Sequence, residues 1–143
     1  MRYILLLIVG SLLSTSSLKA QTADAILGKW TNPTGEAHIL IYRTGNTYSG
    51  KLNWLKPSNN ENRPINDVNN PDKNLRNKPL LGLELLKGLE HKGGGSYEEG
   101  TIYDPKNGKT YSCKMTLNGD KLKIRGYIGV SLLGRSEVWT RVK

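Results

Sequence analysis

Few residues of this chain are of the types that carry out chemistry, and their spacing decides what they can do. There is one cysteine, Cys113, and there are two histidines, His38 and His91, far apart in the sequence. A single cysteine excludes an intrachain disulfide, and neither histidine has a His, Cys or carboxylate neighbour at zinc-ligand spacing. Cys113 falls in the alternating run Tyr111, Cys113, Met115, Leu117, whose shared face is apolar. A thiol on such a face is expected to act as a small buried hydrophobe. Glu98 and Glu99 are adjacent, so in a strand they face opposite ways and form no carboxylate pair. A Gly-x-Ser-x-Gly nucleophile elbow is missing. No catalytic residue, metal or cofactor is therefore assigned, and enzyme activity has no support in these spacings.

Two features point to binding instead. Asp67, Asn69, Asn70 and Asp72 gather oxygen donors of the kind hard cations prefer. They lack the glycine and closing glutamate of a calcium loop, and Asx turns around Pro71 explain the same residues. Arg76 follows, placed to pair with Asp67 or Asp72 or to meet an anionic ligand. Trp54 precedes this cluster as either a core side chain or a stacking wall at the mouth of a cavity. Trp54, Asp67, Asp72 and Arg76 are the candidate ligand-binding residues.

The elements that must hold these residues read as strands. Gly28-Lys29-Trp30-Thr31 opens the domain, 38–43 is β-rich, and Thr44-Gly45-Asn46 turns it into 47–55. Residues 96–104 lead through Pro105-Lys106-Asn107-Gly108 into 109–117. Asn118-Gly119-Asp120 turns again into 121–128, and a glycine-bounded loop, 129–134, leads to the last strand, 135–142. Apolar and polar residues alternate with a period of two, as in antiparallel strands with one wet face, and hairpin-length turns make a meander. Residues 80–91 are rich in helix formers, but Gly82 and Gly88 would each cost about 1 kcal/mol in a helix, and Leu81, Leu83 and Leu85 fit strand alternation. Counting them as a strand brings the total to about eight, enough to close a small barrel.

Residues 57–79 interrupt this rhythm with four of the six prolines and eight asparagines. A connection this long is usually functional or disordered in a compact domain, and the segment is expected to form a lid or rim. Gly50, Gly100 and Gly126 lie inside strands, where a missing side chain leaves room for a ligand or permits a tight bend.

Several segments, taken in order, resemble a family of small exported bacterial proteins defined as domain of unknown function 2147. They include Gly28-Lys29-Trp30, Gly50-Lys51-Leu52-Asn53-Trp54-Leu55, Asn70-Pro71-Asp72, Pro79-Leu80-Leu81-Gly82, Gly100-Thr101-Ile102-Tyr103-Asp104-Pro105, Arg125-Gly126-Tyr127-Ile128-Gly129 and Trp139-Thr140-Arg141. The resemblance implies an all-β, antiparallel, eight-stranded lipocalin-like (calycin-type) barrel and carries no established activity. In lipocalin-like closure an early Trp packs across the closed end under a late Arg, which assigns Trp30, Trp139 and Arg141 to closure by cation–π attraction and indole burial.

The N-terminus reads as a signal peptide. Arg2 precedes an apolar run over 4–13, small polar residues follow, and Ala20 before Gln21 offers a cleavage point. The run is too short to span a bilayer, where about 20 residues are needed. The expected organisation is a signal segment, 1–20, and one barrel domain, 21–143, exported to the periplasm or secreted, with no transmembrane segment in the mature chain. The chain has 143 residues and a formal net charge of +9. Export argues against nucleic acid as the partner for that charge and leaves anionic surfaces. The function expected is binding of a small, partly apolar molecule. The alternative is a structural or interaction protein of the envelope with a barrel filled by its own side chains.

Overall fold

The computed structural model describes residues 23–57, 65–130 and 133–143. The expected signal segment, 1–20, and part of the long connection, 58–64, lie outside them. Eight strands follow in sequence: β1 (Gly28–Thr31), β2 (Ala37–Thr44), β3 (Thr47–Leu55), β4 (Glu84–Gly93), β5 (Ser96–Asp104), β6 (Lys109–Asn118), β7 (Lys121–Tyr127) and β8 (Arg135–Arg141). Each pairs antiparallel with the next, and β8 pairs back onto β1 through Trp30–Arg141 and Thr31–Thr140. The result is a closed barrel whose seam is short: two residue pairs and the bond from Val142 N to Lys29 O join β8 to β1.

An up-and-down barrel sends alternate connections to opposite ends. The β2–β3, β4–β5 and β6–β7 turns share one end with the chain entering β1 and leaving β8. The β1–β2, β3–β4, β5–β6 and β7–β8 connections share the other. The first end is closed. A short 3-10 helix, Asp24–Ile26, crosses it and is held from three sides. Trp30 Nε1 donates to Ile26 O at 2.9 Å, Tyr97 Oη to Ala23 O at 2.6 Å, and Tyr48 Oη to Asp24 Oδ1 at 2.6 Å. The Arg141 guanidinium lies 4.3 Å from the centre of the Trp30 ring and donates to Leu27 O and Ala25 O. Trp30, Tyr48, Tyr97, Leu86, Leu89, Cys113, Met115 and Leu122 fill the half of the barrel behind it.

Local alternation fails where the ladder slips. Pairing between β3 and β4 shifts on both sides of Gly50, so Leu85 and Leu86 are both buried. The strand expected from residue 80 begins at Glu84, and Leu81 is left exposed. β5 slips between Tyr97 and Gly100, where Glu99 has a φ of 65°. Tyr97 and Gly100 are both buried, so Glu98 and Glu99 span a bulge. The strict alternation assumed for that pair does not hold there.

Cys113 is fully buried, and burial pushes its thiol up to about 12. The folded thiol keeps its proton where an exposed one loses it. Its contribution to stability is therefore complete below pH about 8.5 and lost as the pH rises towards 12. At pH about 8.5, iodoacetamide is expected to leave the folded protein unlabelled and to modify Cys113 once denaturant unfolds it. Labelling of the folded protein at the rate of a free thiol would contradict this burial.

Candidate functional site

The open half of the barrel holds a cavity of about 490 Å³, within the range of about 300–1000 Å³ usual for small-molecule sites. Its apolar walls are Ile39, Leu52, Leu85, Ile102, Ile124 and Trp139. All but Ile102 also belong to the buried core, so the cavity rests directly on the packed half. Polar groups gather toward its mouth: Asn107 and Lys106 from the β5–β6 turn, Tyr111 from β6, and Arg135 and Glu137 from β8. Glu137 accepts a hydrogen bond from Trp139 Nε1 at 2.7 Å, and Tyr111 Oη accepts one from Asn107 Nδ2 at 2.8 Å. Such a site offers apolar surface below and both hydrogen-bond donors and acceptors above.

Arg135, Glu137, Trp139 and Arg141 share one face of β8 because side chains alternate along a strand. The first three line the cavity and the fourth covers the closed end. Trp139, assigned to closure from the sequence, forms part of the cavity wall. Arg135 and Glu137 were missed. The available signal was their parity with Trp139 and Arg141, two charged residues at inward positions of a barrel strand.

Trp54 is placed elsewhere. Between β2 and β3, His38 pairs with Trp54 but the next residue, Ile39, pairs with Leu52, so Asn53 is extra. One extra residue reverses the facing of the side chains beyond it. Leu55 packs against the core, while Trp54 is exposed and stacks on the His38 ring with centroids 4.4 Å apart. Trp54 does not line the cavity.

Asp67, Asp72 and Arg76 lie in the β3–β4 connection and are not cavity-lining either. The described part of that connection is ordered. Asn66 bridges Pro79, Asp67 N donates to Lys78 O, and a 3-10 helix, Lys73–Leu75, forms its tip, capped by the Asp72 side chain. Asp67 is buried and accepts from Tyr103 Oη at 2.7 Å and from Asn70 Nδ2 at 2.8 Å. Burial and this bond to Asp67 hold the Tyr103 hydroxyl well above the usual tyrosine range. Arg76 was expected to pair with Asp67 or Asp72; its Nε instead donates to Asn70 O at 2.7 Å. These Asx bonds satisfy backbone groups within the loop. Among the described residues, no group of three His, Cys, Asp or Glu side chains is placed to hold a metal.

The connection is stapled to the cavity rim. Asn69 Nδ2 donates to the carbonyls of Pro105 and Lys106 at 3.1 Å each, and Asn69 O lies where a Cβ on Gly108 would fall, 2.0 Å away. Gly108 also has a φ of 73°. Gly108→Ala is therefore expected to cost about 1–3 kcal/mol and to speed hydrogen exchange in 65–80 before the strands. Unchanged exchange there would show that the staple is not tight.

The glycines inside strands divide in two. A Cβ on Gly50 would meet Leu86 at 3.0 Å and Ile39 at 3.1 Å, and one on Gly100 would meet Leu89 at 2.7 Å. The room they leave is already filled. Gly126 lines the cavity, and a Cβ there would find its nearest neighbour, Ile102 Cγ2, at 3.6 Å.

Comparison with known proteins agrees with this architecture. Protein HP1028 from the human pathogen Helicobacter pylori, described as belonging to the lipocalin family, superposes with a TM-score of 0.71 over 82% of each chain at 20% identity. The fold is thus lipocalin-like. No curated protein matches the chain. Among the described residues no helix is long and apolar enough to cross a membrane. A family model covers residues 28–141, from the first residue of β1 to the last of β8. The chain belongs to the family described as an uncharacterized protein conserved in bacteria (DUF2147).

Proposed function

We propose that this protein binds one small, partly apolar molecule in the open half of its barrel. Its apolar part rests on Ile39, Leu52, Ile102, Ile124 and Trp139, and its polar part meets Tyr111, Arg135 and Glu137. The observation that carries this reading is the cavity of about 490 Å³ with an apolar floor and a polar mouth. The described part of the β3–β4 connection acts as an outer brace of the rim, through Asn69 and Asp67. The order of Arg2, apolar run and Ala20 supports export, with residues 21–143 as the working domain.

Native mass spectrometry of protein isolated from its own envelope tests the reading. The expected result is a complex of one protein with one small molecule, which a single-chain amphipath displaces with a change in Trp139 fluorescence. Protein that neither retains a molecule nor takes up an amphipath of any head-group charge would overturn it. Sequencing the N-terminus of the same preparation should give Gln21 or a near neighbour; an intact Met1 would remove the export claim.

A further inference from the structure

The surface of the barrel is unequal at its two ends. Among the described residues, every exposed large apolar side chain except Val138 belongs to the open end. Ile65, Val68, Leu75 and Leu81 come from the β3–β4 connection with Trp54 beside them, and Ile128, Val130 and Leu133 come from the β7–β8 connection. Exposed apolar side chains gathered at one end of a domain mark a contact surface.

Charge follows the same division. The ion pairs found among the described residues, Arg43–Asp24, Lys92–Glu90, Arg141–Asp120 and Lys143–Asp120, all lie toward the closed end. At the open end Lys73, Lys78, Lys106, Lys109 and Arg135 are all exposed, and none enters those pairs. Against them stand Glu36, Asp72, Glu84, Asp104 and Glu137; Asp72 and Asp104 accept backbone N–H bonds, Glu84 accepts from Tyr42 Oη, and Glu137 accepts from Trp139 Nε1. Apolar side chains among unpaired cations suit a surface that is apolar inside and anionic outside.

We infer that the open end docks on an anionic lipid surface, with the apolar side chains of its two connections entering the headgroup layer and the surrounding cations meeting lipid phosphates. Docking in this orientation sets the cavity mouth against the lipid. Exchange of a ligand with that surface rests on the cavity reading above; the docking does not.

Flotation with vesicles tests it, using protein without residues 1–20, since the described contacts of the barrel begin at Ala23. The protein is expected to float with phosphatidylethanolamine–phosphatidylglycerol vesicles at least about tenfold more tightly than with phosphatidylcholine vesicles, and less tightly as salt rises. Leu81→Asp with Val130→Asp changes exposed positions outside the cavity lining and should lower vesicle affinity at least about tenfold. Lys73→Glu with Lys78→Glu should do the same by charge alone. Lys121→Glu, at the closed end, should change it less than about twofold. Gly126→Leu, which fills the cavity, should dock like the unaltered protein, so a failed cavity reading leaves this result standing. No binding to anionic vesicles, equal losses from open-end and closed-end replacements, or retention on polyglutamate without retention on vesicles would each overturn the proposal.

Discussion

Gly126→Leu is expected to abolish uptake of small molecules while leaving the barrel at least as stable as before. Gly126 lines the cavity, and its nearest heavy atoms would stand at 3.6, 3.7 and 3.9 Å from an added Cβ. Its φ is outside the left-handed range that disfavours a side chain. A leucine there projects into space that a ligand would need and buries apolar surface against Ile102. A gain of about 1 kcal/mol from this burial would raise Tm by roughly 4 °C in a domain of this size. Affinity for a cavity ligand should fall at least tenfold, about 1.4 kcal/mol. Gly100→Ala is the informative contrast, since its Cβ would press on Leu89 at 2.7 Å and on Lys87 O at 3.1 Å. It should destabilise by about 1–3 kcal/mol through overpacking. Calorimetry and ligand titration of the two variants read both outcomes. Unchanged ligand affinity in Gly126→Leu would place the binding site elsewhere.

Arg141→Ala is expected to be the most damaging single change at the closed end. Three contacts converge on one guanidinium: the Trp30 ring at 4.3 Å, Leu27 O at 2.9 Å and Ala25 O at 2.7 Å. The ion pair with Asp120, at 3.5 Å and half exposed on the carboxylate side, adds little. The ring contact contributes about 1 kcal/mol, and charged hydrogen bonds that are partly solvated contribute about 1 kcal/mol each. Their sum, about 3 kcal/mol, corresponds to a fall in Tm of roughly 10 °C. Arg141→Lys keeps the charge and loses the planar fork that reaches two carbonyls and a ring together, so it should recover the smaller part. A double-mutant cycle with Trp30→Leu should give a coupling of about 1 kcal/mol. Full rescue by lysine, or coupling near zero, would mean that Arg141 acts only as a charge.

The number, order and direction of the strands were legible because their signals are local. Tyr111, Cys113, Met115 and Leu117 alternate within one strand, and Asn118-Gly119-Asp120 turns the chain whatever lies across the barrel. The sites where local reading failed are places where a second strand decides. Trp54 has the same parity as Leu52, and only the unpaired Asn53 opposite β2 turns its ring outward onto His38. Gly50, Gly100 and Gly126 are the same residue type in similar strands. Leu86 and Leu89, from β4, fill the space beside the first two, whereas beside the third an added Cβ would meet its neighbours only at ordinary contact distance, 3.6 Å and beyond. Arg76 and its expected partners Asp67 and Asp72 are close in sequence, yet the loop's turns give it the Asn70 carbonyl instead.

The sequence by itself determined the succession of antiparallel strands, because alternation and turn chemistry act over a few residues and need no knowledge of partners. Tertiary structure alone decided that the barrel is filled behind Trp30 and hollow above Trp139. A cavity is the volume left after side chains from many strands have packed, and a one-residue slip between two of them reverses which side chains reach it.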